Sequence, residues 1–360
     1  MNSCVTHFLF KLSATGSSDI NIYAFYKRLT FDIICSCCYG LNSPSEEYYQ
    51  KVEEVFAIDV TQSLWLKLTC LLGSTSFLSQ LIEKLYRLQD DFKRFLNGKQ
   101  NFFQFGEFPR YWIREKVREI VDLGVESRDD VGKIDLVHLL LKATNKDGSI
   151  SHGEILQNVS AFLIAGYEPT SATMAYSTYI LATHPEEQLK LQMEIDSYED
   201  EEEMSYDVVI KKFEYLDRFL REVLRMYPIA LQQLSRQCEQ ETVVRDEHGK
   251  EFKIEKDDIV QADVYSLHYS TNLWGPTDPG IFYPDRHITQ QSQCAFLGFG
   301  LGPRQCIGMR FAMSIIKLTL IRLLKEYTVV HSNKLEENWC LTDKRVITPK
   351  NCWIRLEARQ

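Results

Sequence analysis

The sequence predicts a mainly α-helical protein with small β-sheets. Apolar residues recur every three or four positions over most of 20–145, and again through about thirty residues after Gly148, which is typical of packed helices. Apolar and polar residues alternate only within 241–270 and in the tail from Tyr327, as in short strands. With 360 residues, 44% of them hydrophobic, the chain can bury a sizeable core.

The predicted elements follow one another in a simple order. Helices are predicted over 21–40, 45–60, 77–96, 114–125 and 133–143, then over the long segment after a turn at Asn145–Gly148, then over 213–227, and last over Ile307–Lys325. The acidic run Glu199–Glu203 is interpreted as a solvated loop. The strands within 241–270 surround a turn at His248-Gly249, and a turn-rich stretch from Trp274 to Gly302 precedes the last helix.

Composition excludes several classes of protein. A formal net charge of −9 has the wrong sign for a nucleic-acid backbone binder, so no nucleic-acid partner is expected. The ten cysteines contain one C-x-x-C pair, Cys35 and Cys38, within a predicted helix. No second pair accompanies it, as a zinc ribbon would require, and no βαβ pattern surrounds it, as a thioredoxin-like site would require. No signal peptide or membrane span is predicted, because the least charged stretch, 155–185, carries Glu168 and Pro169 and fits a buried helix better than a bilayer helix.

The segment FGLGPRQCIG, Phe299 to Gly308, is the most informative in the chain. Its three glycines permit backbone angles or close approaches that side chains would forbid. Cys306 lies just before a helix and two residues from Arg304, an arrangement that favours the thiolate and suits a metal ligand. From these features alone a nucleophilic cysteine, with His268 or His287 as partner, and an ordinary buried cysteine remain alternatives.

The residues Phe299, Gly300, Gly302, Arg304, Cys306 and Gly308 fill every defined position of a pattern that resembles the haem-binding loop of cytochromes P450. The resemblance implies a cytochrome P450 fold and a haem b (iron-protoporphyrin IX) whose iron is bound by the thiolate of Cys306. It also implies that Phe299 and Gly300 line the cofactor, and that Arg304 and Arg236 pair with the haem propionates by guanidinium–carboxylate bonds. For Arg236, a plain surface arginine is the alternative.

Two further segments resemble landmarks of the same family. Glu222-Val-Leu-Arg225 is similar to its E-x-x-R element, and Phe282-Tyr-Pro284-Asp285-Arg286 is similar to its meander. The resemblance implies that Glu222, Arg225 and Arg286 form a charge network that supports the loop of Cys306. His287 stands where the family usually has an aromatic residue.

The segment Ala165-Gly-Tyr-Glu168-Pro169-Thr170 resembles the family's distal-helix motif A-G-x-E-T-T. The resemblance implies that Ala165 lies near the haem and that Glu168 and a threonine deliver protons to the reacting oxygen. Pro169 occupies the first threonine position, so that hydroxyl is lost, and Thr170 lies about 100° further around a regular helix. A helix distortion is expected here because proline lacks the N–H that would bond to the carbonyl of Ala165.

The resemblance covers nearly the whole chain, 1–360, which is expected to be a single cytochrome P450 catalytic domain that lacks the N-terminal portion of the fold. It points to the microsomal branch that contains drug-oxidising enzymes and thromboxane synthase. It implies a monooxygenase that inserts one atom of O2 into an apolar small molecule with electrons from a flavoprotein reductase. The expected location is the endoplasmic reticulum membrane, with association only through the missing N-terminal region. The alternatives are a hydroperoxide isomerase or dehydratase, with which Pro169 is compatible, and a catalytically incomplete fragment.

Overall fold

The structure is a computed structural model of the chain. It describes residues 1–16, 18–57, 84, 109–126, 135–147, 150–198, 205–231, 234–246, 248–289, 292–335, 341–343 and 346–359. The helix predicted over 77–96 lies outside these residues apart from Lys84, which is helical. The acidic loop predicted at 199–203 lies wholly outside them.

The chain divides into two compact units. The large unit comprises residues 1–30 and 168–360, and the small unit comprises residues 31–167. The helices are α1 Asn2–Ser13, α2 Ile22–Tyr39, α3 Glu46–Ala57, α4 Pro109–Glu126, α5 Leu136–Asp147, α6 His152–Thr183, α7 Pro185–Asp196, α8 Tyr206–Lys211, α9 Glu214–Met226, α10 Val264–His268, α11 Thr271–Trp274 and α12 Met309–Glu326. The strands are β1 Ile20–Asn21, β2 Ser235–Gln237, β3 Thr242–Arg245, β4 Glu251–Ile254, β5 Ile259–Gln261, β6 Tyr327–His331, β7 Leu341–Asp343, β8 Ile347–Pro349 and β9 Trp353–Ala358.

Helix α12 follows the segment Phe299–Gly308, which we call the cysteine loop, and is the central helix of the large unit. From Ser314 to Ile321 every side chain is buried. It packs against α1, α7, α8 and β6. The cation of Lys317 is buried with it, and its Nζ donates to Ile210 O at 3.1 Å and lies 2.9 Å from Asp217 Oδ1. The C-terminal side of the cysteine loop is therefore attached to a rigid core element.

The sheets of the large unit are small and antiparallel. Strands β1, β9 and β6 form a three-stranded sheet, with Ile20 opposite Ile354 and Val329 opposite Leu356. Strands β2 and β5, β3 and β4, and β7 and β8 form two-stranded ribbons. The mainly α fold with small sheets is confirmed.

The small unit packs helices around its own apolar core. Phe31, Ile33, Val117 and Leu163 are almost completely buried there. The hydroxyl of Tyr39 donates to Val159 O at 2.9 Å and so links α2 to α6. Among the described residues, no helix of either unit is both long enough and apolar enough to cross a bilayer.

Several predicted boundaries differ from the structure, among them the start of α4, which lies at Pro109 rather than at residue 114. Residues Val264–His268, predicted within a strand region, form a helical turn because the Asp263 side chain accepts from Ser266 N at 3.0 Å and caps it. The last helix begins at Met309 rather than Ile307, since the cysteine loop extends to Gly308. Helix α5 continues to Asp147, through most of the predicted turn.

Candidate functional site

The cysteine loop is closed by its own backbone. The amide of Cys306 donates to Phe299 O at 2.9 Å, and the amide of Gln305 donates to Gly302 O at 3.0 Å. Gly300 and Gly302 have φ values of +72° and +74°, a region that favours glycine. The special backbone angles predicted for two of the three loop glycines are therefore confirmed.

The thiol of Cys306 is exposed, which excludes the ordinary buried cysteine. The predicted partner imidazoles are engaged elsewhere. His268 uses both ring nitrogens on backbone groups, at Arg225 O and Leu297 N, and His287 Nε2 lies 2.9 Å from Glu222 Oε2. In the described part of the chain, no hydrogen bond joins either imidazole to Cys306, so the arrangement does not favour a Cys–His nucleophile.

The surface beside the thiol is unusually apolar for an exposed position. The side chain of Ile307 is 88% exposed and that of Leu301 is 40% exposed, while Phe299 is half-buried. The guanidinium of Arg304 is also exposed, at the end of a short 3-10 turn over Gly302–Arg304. A thiol, apolar side chains and a cation are thus presented together by one loop.

Behind this loop, the carboxylate of Glu222 is completely buried and accepts five hydrogen bonds. Its Oε1 accepts from Arg225 Nη2 at 2.9 Å, from Arg286 Nε at 2.8 Å and from Tyr283 N at 3.0 Å. Its Oε2 accepts from Arg225 Nε at 2.8 Å and from His287 Nε2 at 2.9 Å. Burial by itself would raise the pKa of Glu222, but the bonds from Arg225 and His287 outweigh it and lower the pKa to about 2.

The two arginines tie this carboxylate to the turn-rich stretch. Arg225 donates to His268 O and Pro279 O, both at 2.7 Å, and Arg286 donates to Trp274 O at 2.6 Å. The expected grouping of Glu222, Arg225 and Arg286 is confirmed. His287 is a fourth member that the motif does not include, and its replacement of an aromatic residue was the only signal of it in the sequence.

The residues of the distal motif divide between the two units. In the large unit, Glu168 and Thr170 are buried, at 8% and 4% exposure. In the small unit, Ala165 and the preceding Ile164 are exposed. Helix α6 is continuous through Pro169, so the expected distortion does not interrupt it.

Arg236, the second predicted propionate partner, lies on β2. It is exposed, and its Nη1 donates to Ser235 O at 2.8 Å. Among the described residues neither Arg236 nor Arg304 makes an ion pair with a carboxylate. Both guanidinium groups are therefore available to bind an anionic partner.

A cavity of about 520 Å³ lies against the cysteine loop within the large unit. Phe299, Gly300 and Gln305 of the loop line it, together with Phe296 and the exposed Arg310 of α12. Cys306 is not among its lining residues. The lining also includes Arg221, Lys317 and Asp217, so the cavity beside the loop carries charged as well as apolar side chains.

Comparison with known proteins points to one family. The family model for cytochrome P450 matches residues 1–352. The putative cytochrome P450 CYP13A4 of Caenorhabditis elegans is 36% identical over 67% of this chain and 47% of its own length. CYP13A1 of the same organism is 27% identical over 96% of this chain and 68% of its own length. The chain spans about half the length of most of these curated relatives.

The crystal structure of a cytochrome P450 (CYP102L1) matches the fold with a TM-score of 0.74 over 99% of this chain and 73% of that chain, at 22% identity. At this identity the match concerns the fold alone. The fold, the closed cysteine loop and the family model over nearly all residues lead to one conclusion: the chain belongs to the cytochrome P450 family.

Proposed function

We propose that this protein is a haem-thiolate monooxygenase in which Cys306 binds the iron of haem b. Cytochromes P450 are haem-iron proteins, and that membership supports the choice of cofactor. The single observation that carries the assignment is the exposed thiol of Cys306 on a loop closed by its own amide.

The residues around Cys306 fit a haem. A thiolate is a strong ligand of haem iron, and Cys306 presents its sulfur at the surface of the loop. Ile307 supplies exposed apolar area that a macrocycle would cover. Arg304 and Arg236 are exposed cations without carboxylate partners among the described residues, and both suit the haem propionates.

When bound, the haem supplies the site at which O2 is activated, and thiolate donation favours cleavage of the O–O bond. The chain's own part is to present the sulfur to the iron, to bind the propionates and to move protons. For proton transfer we propose the carboxyl of Glu168 and the hydroxyl of Thr170, which are both buried. Pro169 contributes neither a hydroxyl nor an amide hydrogen there.

The remaining parts of the proposal follow from the family. The substrate is an apolar small molecule, the oxidant is O2, and a flavoprotein reductase supplies the electrons. We propose that residues 1–360 act as one catalytic domain, and that the protein works at the endoplasmic reticulum membrane as in the microsomal branch. The match of one family model to 1–352 supports the single domain.

A second candidate is isomerisation or dehydration of an organic hydroperoxide. Pro169 in α6 favours it, because the threonine hydroxyl that would deliver protons to O2 is absent there. Hydroperoxide chemistry starts from a substrate that already contains the O–O bond and needs no reductase. The two candidates differ in their co-substrates. Turnover with reductase and O2 supports the first, and turnover with a hydroperoxide alone supports the second.

The deciding experiment is an absorption spectrum of the purified chain with added haem, reduced under carbon monoxide. We expect a red-shifted Soret band of the thiolate type, which Cys306→Ala abolishes. Cys294→Ala is the matched control, since Cys294 is also exposed and lies in the segment before the loop. Lack of haem uptake, or an unchanged band in Cys306→Ala, would reject haem-thiolate chemistry for this chain and favour the incomplete fragment.

A further inference from the structure

Four rings connect the charge network to the cysteine loop, and we call them the ring cluster: His268, Trp274, Phe296 and His287, which also belongs to the network. The His268 and Phe296 rings are stacked at 5.6 Å with an interplanar angle of 7°. His287 lies 5.3 Å from Trp274 and 6.0 Å from Phe296, between ring centroids. Phe296 also lies under the start of the loop, because a Cβ added to Gly298 would come within 2.7 Å of Phe296 Cζ.

His268 connects the ring cluster to the backbone that leads into the loop. It is completely buried, and its Nε2 lies 2.9 Å from the amide nitrogen of Leu297. Because an amide N–H only donates, Nε2 must be the unprotonated acceptor. The proton is therefore on Nδ1, which donates to Arg225 O at 3.0 Å.

These bonds continue into the loop. The carbonyl of Leu297 accepts from the amide of Gly300 at 3.0 Å, and the carbonyl of Phe299 accepts from the amide of Cys306 at 2.9 Å. The peptide group on each side of Leu297 is thus fixed, first by His268 and then by Gly300. A displacement of Leu297 would shift the chain that closes on Cys306.

We propose that His268 is a positioning residue for Cys306, acting through its bond to the amide of Leu297. The role rests on the proposed function, since it concerns the placement of the iron ligand. His268 does not touch the reacting atoms. It joins the C-terminal end of α9 to the backbone just before the cysteine loop.

Two substitutions separate the two ring nitrogens. The amide of Asn places its polar atoms near Nδ1, so His268→Asn can keep the bond to Arg225 O but not the bond to Leu297. The longer Gln reaches the position of Nε2 with an amide oxygen, so His268→Gln can accept from Leu297. His331→Gln is the control, because His331 is an exposed residue at the end of β6.

Backbone amide exchange over 295–300 is the direct measurement, and it is made on the haem-free and the haem-loaded chain. We expect exchange there to be roughly tenfold faster in His268→Asn than in the wild type, because a buried backbone bond is lost. In His268→Gln and in the control we expect protection close to that of the wild type. Exchange over β6 and β9 should change little in any of the three.

The spectrum with carbon monoxide gives the second readout. We expect His268→Asn to lose a larger part of the thiolate-type band than His268→Gln at equal haem content. Equal effects of the two variants on exchange and on the band, including equal loss of the fold, would overturn the positioning role, because general packing would affect both alike. Absence of the band in the wild type would reject the proposed function instead, while amide exchange still reports on His268.

Discussion

The buried carboxylate of Glu222 provides the strongest test of how the site is built. In Glu222→Gln the side chain keeps its size but loses its charge, while Arg225 and Arg286 remain buried beside it. The substitution also replaces one carboxylate oxygen, an acceptor, with an amide NH2 group, a donor that faces the guanidinium donors. Breaking a buried ion pair by removing one partner typically costs about 3–5 kcal/mol.

The pKa of Glu222 gives an independent magnitude. The fall from 4.5 to about 2 corresponds to about 3 kcal/mol of stability. Because the folded-state pKa is depressed, this stability is present above pH 4.5 and is lost as the pH falls towards 2. Both routes therefore predict a large loss in Glu222→Gln near neutral pH.

The assay is urea unfolding of the haem-free chain, followed by far-ultraviolet circular dichroism at a series of pH values. We expect Glu222→Gln to be several kcal/mol less stable than the wild type at pH 7, with the gap shrinking below pH 4.5. Glu357→Gln is the control, since Glu357 is 60% exposed and such charges contribute little. A loss at pH 7 no larger than in this control would refute the reasoning.

Three further predictions follow from the site. Pro169→Thr restores a hydroxyl at the position that the family motif assigns to threonine, and we expect a higher yield of product per electron consumed with reductase and O2; no gain would contradict the proton-delivery role. Arg304→Ala should release haem to an acceptor globin several-fold faster, with Arg304→Lys intermediate, whereas equal rates would remove Arg304 from the propionate site. Burial lowers the pKa of His268 from 6.5 to about 4, and Arg225, His287 and Glu222 face the same ring. The stability that neutral His268 contributes should therefore be lost as the pH falls from 6.5 to 4. The free energy of unfolding of His268→Gln should depend less on pH in that range.

Much of the fold could be predicted from local patterns. Helices such as α9 and α12 carry apolar positions at helical spacing over several turns, and the pattern persists because burial selects it. The positive φ values of Gly300 and Gly302 were predictable because few other residues adopt them. The short helix α10 was not, since one turn is too brief for periodicity and depends on its Asp263 cap.

The candidate site was less accessible to sequence reasoning. Spacing placed Glu222 and Arg225 on one helix face, but an exposed pair with the same spacing would contribute little. What makes the pair important is complete burial and the approach of Arg286 and His287 from more than sixty positions along the chain. The bond from Leu297 to His268 spans 29 positions and joins a side chain to a backbone amide, so no side-chain motif encodes it.

The supporting contacts behind Cys306 use groups whose protonation is fixed by their partners. Glu222 can accept from all five of its donors only when both oxygens are unprotonated, and those donors hold it ionised. His268 accepts from Leu297 only when Nε2 is unprotonated, and the carbonyl of Arg225 holds the proton on Nδ1. A carboxylate kept charged and an imidazole kept neutral thus meet at Arg225, whose side chain pairs with the first and whose carbonyl orients the second. Because both depend on the end of α9, a change there should disturb the charge network and the cysteine loop together.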